Sequence, residues 1–106
     1  AAYEAAFAQL RAQDYAGAQA GFDAFIKQNP DHSLVSNAMY WLGETYYVRN
    51  EFDRAMRIFA ESYQKYPNGS KAPDNLLKLG MSLAALGKTS DAGIALRQLK
   101  KEYPAG

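Results

Sequence analysis

Residues 37–47 read Asn37-Ala38-Met39-Tyr40-Trp41-Leu42-Gly43-Glu44-Thr45-Tyr46-Tyr47. Together with Val35, the residues Met39, Leu42 and Tyr46 recur at intervals of three and four, which marks one face of a helix. Glycine inside such a pattern costs about 0.5–1 kcal/mol relative to alanine, so Gly43 needs a packing reason. Arg49-Asn50-Glu51 interrupts the pattern. Phe52, Ala55, Phe59, Ser62, Tyr63 and Tyr66 then continue it on a second helix, and Pro67-Asn68-Gly69-Ser70 ends it with turn chemistry. Residues 34–70 therefore form a helix–turn–helix unit.

The unit repeats. Pro30, Pro67 and Pro104 stand 37 residues apart, and so do Ala18, Ala55 and Ala92. Phe22, Phe59 and Leu96 keep the interval, as do Phe25, Ser62 and Leu99. Met39 pairs with Leu76, Leu42 with Leu79 and Gly43 with Gly80 at the same spacing. A fixed period of this length is the signature of a solenoid. The spacing predicts helices over 2–12, 15–28, 34–49, 52–66, 71–86 and 90–103. Asp14 is the expected N-cap of the second helix, and Thr89 or Ser90 that of the sixth. Asp53 and Asp91 fall near starts of helices and Lys100-Lys101 near an end, where their charges suit the helix dipole.

Met39, Leu42, Gly43, Tyr46, Ala55, Phe59 and Pro67 fall at the spacing of the tetratricopeptide repeat, which this pattern resembles. Leu76, Leu79, Gly80, Leu83, Ala92, Leu96 and Pro104 repeat the match. The expected fold is an all-α solenoid of three repeats and six helices. It forms one domain over residues 1–106, with repeats at about 1–33, 34–70 and 71–106. Gly43 and Ala55 let the two helices of a unit approach closely, and Phe59 fills the space beside them. Unit one departs: Ala6 stands for Gly43 and Gln9 for Tyr46, so its first helix is read as truncated or shifted, with Leu10 in the core role.

In such arrays the first helix of each unit lines a groove. Residues one step beyond the packing positions point into it: Tyr3, Phe7 and Arg11, then Asn37, Tyr40, Glu44, Tyr47 and Val48, then Asp74, Leu77, Lys78 and Met81. A helix that packed on one side only would carry charge there. Two readings stand: a groove for a peptide or partner helix, with Asn37 able to pair with peptide backbone, or a tightly wound array whose side chains touch only each other. Trp41 is assigned to packing between units. Ile94, Leu96 and Leu99 on the last helix have no following element, although repeat arrays need a polar cap. A further helix is expected there, and the chain, which starts at Ala1 inside a helical pattern, is read as a fragment or processed form.

Composition narrows the function classes. The net charge of +1 gives no field to draw nucleic acid or anionic lipid. Cysteine is absent, which removes thiolate chemistry and disulfides. No apolar run approaches the length of a membrane span. His32 is the sole histidine and is expected in a surface connection, so no metal site is expected. Glu44 has no paired base, so no catalytic constellation is found. The reading is a binding scaffold with no cofactor, not an enzyme.

Two segments are more specific than the general repeat: Asn37 to Tyr47, and Lys71-Ala72-Pro73-Asp74-Asn75-Leu76-Leu77-Lys78-Leu79-Gly80. With the Tyr66-Pro67 and Tyr103-Pro104 endings, they resemble the C-terminal domain of the YbgF/CpoB family of the Tol–Pal system. The resemblance implies a periplasmic protein that binds TolA and helps couple septal peptidoglycan synthesis, through a bifunctional penicillin-binding protein, to outer-membrane constriction. It also implies a trimer formed through an N-terminal coiled coil outside these residues. It does not say which residues contact TolA. An alternative is a structural part like the tetratricopeptide lipoprotein of the outer-membrane β-barrel assembly machine, whose units end in a similar way.

Overall fold

The computed structural model describes residues 2–104, and the regular structure among them is helical throughout. Six helices follow one another: α1 (Ala2–Arg11), α2 (Tyr15–Gln28), α3 (Val35–Tyr47), α4 (Phe52–Lys65), α5 (Ala72–Ala85) and α6 (Thr89–Glu102). The expected bounds hold to within two residues at every end. Each helix packs on the next, while α1 also touches α3 and α3 touches α5. The result is an all-α solenoid of three stacked hairpins, α1–α2, α3–α4 and α5–α6. The first helices lie side by side and form one face.

The hairpin turns repeat as closely as the core does. Gln13, Asn50 and Gly87 all have positive φ, at 65°, 62° and 78°. They too are 37 residues apart. The amide after each one donates to a carbonyl five residues back: Asp14 to Gln9 at 2.8 Å, Glu51 to Tyr46 at 3.0 Å and Lys88 to Leu83 at 2.9 Å. These bonds satisfy carbonyls that a helix end would otherwise leave open. The left-handed conformation is open to Gly87 and tolerated by Asn50, but it strains Gln13. Composition alone hid this rule, because only one of the three residues is glycine.

The other ends follow from proline. Asn29, Tyr66 and Tyr103 each precede a proline, whose ring disfavours the helical conformation of the residue before it. Each keeps one last bond, donating its amide at 2.9 Å to Phe25, Ser62 and Leu99 respectively. Asp14 caps α2 as expected, accepting from the Gly17 amide at 3.1 Å. The expected cap of α6 is corrected. Thr89 is already helical, and Lys88 occupies the cap position without a side-chain bond. The left-handed residue Gly87 closes the preceding turn immediately before it, which sets the helix start at Thr89 and leaves no free residue for a hydroxyl cap.

Small residues set the distance between helices. A Cβ placed on Gly43 would fall 2.6 Å from Cε1 of Phe59, and one on Gly80 would fall 2.7 Å from Cδ2 of Leu96. Ala18, Ala55 and Ala92 are buried at matching places on the second helices. In unit one the close approach is between Ala6 and Gly21, where a Cβ would come within 2.8 Å of the alanine methyl. Leu10 packs against the first core cluster, in the role the shifted register gives it. Gln9 turns its amide toward Asp14, 3.5 Å away.

The seams between hairpins are built differently. Phe25 and Ala38 are buried in the α2–α3 seam. The corresponding residues of the α4–α5 seam are Ser62 and Asn75, small and large exchanged. Both are buried, and Asn75 Nδ2 donates to Ser62 Oγ at 2.9 Å. This hydrogen bond replaces an apolar contact at the same place in the repeat, and a buried amide needs such a partner.

Two stability outcomes follow. Gly43→Leu forces a side chain into the Phe59 ring and should cost about 1–3 kcal/mol, measured by urea unfolding. Gln13→Gly relieves the left-handed residue and should stabilise by about 1 kcal/mol, read as a higher denaturation midpoint with an unchanged slope.

Candidate protein-binding groove

The face made by α1, α3 and α5 carries most of the residues expected to line a groove, but not as one uniform stripe. Leu77 and Met81 of α5 are exposed, at 41% and 38%, and Val48 just beyond α3 is exposed as well. Arg11 is exposed, while Phe7, Asn37, Glu44, Tyr47, Asp74 and Lys78 are half-buried. Two tyrosines are corrected. Tyr40 is only 8% exposed and packs tilted on Phe59, with ring centroids 5.7 Å apart. Tyr3 turns toward α2, meeting Phe22 at 5.9 Å and Phe25 at 5.7 Å edge-on. Both rings are drawn inward because the second helix of their own unit offers an aromatic partner, and such pairs add to the gain from burial.

Neighbouring first helices meet by one geometric rule. Phe7 stacks on Trp41, with centroids 5.0 Å apart and planes at 28°. Glu44 pairs with Lys78, whose Nζ lies 3.1 Å from Oε1. In both pairs the partners are 34 residues apart, so these are the same contact in successive seams, aromatic in one and ionic in the other. Trp41 thus packs between units, as assigned. Glu44 has a structural partner that accounts for its charge. Met81 is the third member of the Phe7–Glu44 series. No described helix follows α5 on this face, and its side chain stays open.

Cations rest on the aromatic faces here. Arg11 lies 5.3 Å over Phe7, and Lys78 4.3 Å over Tyr47. Tyr47 in turn meets Phe52 at the start of α4 edge-on, at 5.3 Å. Lys71 sits 4.9 Å over Trp41 and 5.2 Å over Tyr40. Unlike Lys78, it forms no ion pair among the described residues. Beside it, Ser70 Oγ donates to Asn37 Oδ1 at 3.3 Å. The sequence reading missed Lys71 and Ser70 as members of this face. They belong to the connection before α5, and only the fold brings that connection back over α3.

The Tyr40 hydroxyl is pushed up to about 12, by burial first and then by the carboxylates of Glu44 and Asp74. His32 is exposed in the connection after α2, where its Nδ1 accepts from the Leu34 amide at 3.0 Å. Among the described residues no group of three or more His, Cys, Asp or Glu side chains is placed to hold a metal ion. No helix among the described residues is long and apolar enough to cross a membrane.

A tetratricopeptide-repeat family model matches residues 3–70, which is most of the chain, and a second model of the same description matches residues 74–105. The chain belongs to the tetratricopeptide-repeat family. The repeat is a protein-interaction fold, so the chain is a protein-interaction scaffold by family. Two curated relatives, both described as Cell division coordinator CpoB, come from Pseudomonas putida, one of them from strain KT2440. Each is 40% identical over 42 residues, which is 40% of this chain and 16% of the relative. These likenesses are consistent with the tetratricopeptide domain of the YbgF/CpoB family.

The corrected place of Tyr40 changes what its removal should do. Tyr40→Ala should destabilise the repeats by about 3 kcal/mol, as truncation of a buried ring does, while Tyr40→Phe should keep the thermal midpoint at neutral pH. Above pH 10 the unfolded tyrosine ionises while the folded one does not. Stability should therefore fall between about pH 10 and pH 12 in the parent, and less steeply in Tyr40→Phe.

Proposed function

We propose that the face built by α1, α3 and α5 binds a segment of a partner protein, and that the partner is TolA. On this reading the chain is the repeat part of a periplasmic coordinator that links septal peptidoglycan synthesis to outer-membrane constriction. Residues 1–106 act as one domain, joined in the full protein to a trimerising coiled coil, and a bifunctional penicillin-binding protein is a further partner. No catalytic or cofactor role is assigned. The likeness to CpoB supports the identity of the system.

The observation that carries the binding reading is the exposure of Leu77 and Met81, four residues apart on α5, with Val48 exposed just beyond α3 and Lys71 over Tyr40 and Trp41 just before α5. Apolar side chains grouped at the surface mark interaction sites. Lys71, held over two rings and without an acidic partner among the described residues, offers its ammonium to a carboxylate of the segment. Arg11, over Phe7, offers a second cation on the same face. Tyr40, Trp41 and Phe7 serve as the floor that fixes these groups rather than as contacts. A rigid aromatic floor lowers the ordering cost of binding.

Isothermal titration calorimetry of this chain against the periplasmic part of TolA tests the reading. Binding in the micromolar range is expected. Leu77→Ala with Met81→Ala should weaken it by about 30-fold, as loss of about 2 kcal/mol of hot-spot energy does, while helicity and thermal midpoint stay unchanged. No heat of binding at high micromolar concentration would refute the choice of partner.

A further inference from the structure

A second apolar surface lies away from the groove face. Between the second helices α4 and α6, and floored by α5, is an open depression of about 390 Å³. Tyr63, Leu76, Leu79, Leu83, Ile94 and Ala95 line it, and Asp91 stands at its edge. Ile94 is 59% exposed, the most exposed large apolar side chain among the described residues.

The same place one seam earlier, between α2 and α4, is filled. Counting back 37 residues, Leu83 corresponds to Tyr46, Ala95 to Ile58 and Tyr63 to Ile26. Tyr46, Ile58 and Ile26 all pack against the first core cluster. The Tyr46 hydroxyl is raised above its ordinary value, by burial first and then by Asp23 of α2. The guanidinium of Arg54 of α4 lies 5.8 Å over its ring. Tyr46 therefore sits in the seam, against both second helices. In the later seam leucine replaces the tyrosine and alanine replaces the isoleucine. At the place of Tyr46 the depression has only Leu83, and the ring that Tyr63 brings in place of Ile26 belongs to α4 and donates to Glu102, so the space beside Leu83, Ala95 and Ile94 stays open.

We propose that this depression is a second binding site, which receives an aromatic side chain of a partner polypeptide where Tyr46 lies in the preceding seam. The edge has changed with the floor. Arg54 becomes Asp91 and Arg57 becomes Ile94. The Glu102 carboxylate reaches the same seam and accepts from the Tyr63 hydroxyl at 2.9 Å. The places of two cations, one of them Arg54 over the Tyr46 ring, have thus passed to one carboxylate and one apolar side chain. The incoming ring is accordingly one with a lysine or arginine beside it, so that the cation meets Asp91 while the ring covers Leu83, Ala95 and Ile94. This site uses no residue of the α1–α3–α5 face, so either site can fail its test without the other.

The test is an amide chemical-shift titration of the labelled chain with the capped dipeptide acetyl-lysyl-tyrosine amide, and with acetyl-glutamyl-tyrosine amide as its charge-reversed control. The lysyl probe should shift Leu83, Ile94, Ala95 and their neighbours, and the glutamyl probe should bind several-fold more weakly at low salt. Leu83→Tyr, which copies the filled seam, should abolish the response and raise the thermal midpoint. Ile94→Arg, at an exposed position that cannot upset the core, should weaken the lysyl probe in the same way. The proposal is overturned if the lysyl probe shifts nothing in this seam, if its shifts fall instead on Leu77 and Met81, or if Ile94→Arg leaves the response as it was.

Discussion

The approach distance of two helices within a hairpin governs everything else here. Gly43 lies against the Phe59 ring and Gly80 against Leu96, each so close that a single added carbon would collide. That contact draws the hairpin shut and buries Ala55 and Ala92. It also fixes which residues of the first helix remain outside. A wider hairpin would turn the first helix and redistribute its faces. The open row on α5 and the aromatic floor on α3 are consequences of this one steric constraint.

Repetition then converts a local rule into a surface. The contact between neighbouring first helices is written twice, as Phe7 on Trp41 and as Glu44 with Lys78. The stacked aromatic pair excludes water and anchors Lys71 above it. The ion pair is half-buried and steadied by the Tyr47 ring, so its charges serve the scaffold before they serve a ligand. Its net worth to stability is modest, as for most exposed or half-exposed pairs, but it settles the register of α5 against α3. The third position of the series, Met81, meets no described first helix beyond α5 and stays open.

Much of this was legible in the residues. The 37-residue phase of Pro30, Pro67 and Pro104 gave the helix ends, because proline acts on the residue before it whatever the tertiary context. The glycines and alanines gave the close contacts, because only their size permits them. Side-chain direction was less legible. Tyr3 and Tyr40 stand at positions that a helical wheel places outside, yet both rings swing toward Phe22, Phe25 and Phe59, since a long aromatic side chain can reach a neighbour that its Cα does not face. Asn75 is polar and lies in the first turn of α5, and nothing in its own unit marks it as buried. It is a core residue because Ser62, 13 positions earlier, supplies its hydrogen bond. Lys71 was invisible as a groove residue for a related reason: its partners Tyr40 and Trp41 lie one unit away, and nothing in a single unit points to them.

The central claim is that a partner protein occupies the side built by the first helices, on a floor that the core has already fixed. A crystal structure of the chain with a bound periplasmic segment of TolA tests it most directly. The account predicts a segment lying across α3 and α5, covering Leu77 and Met81, with a carboxylate at Lys71 and the Phe7–Trp41 stack undisturbed beneath it. A segment seated instead on α2, α4 and α6, with Leu77, Met81 and Lys71 left in solvent, would contradict it.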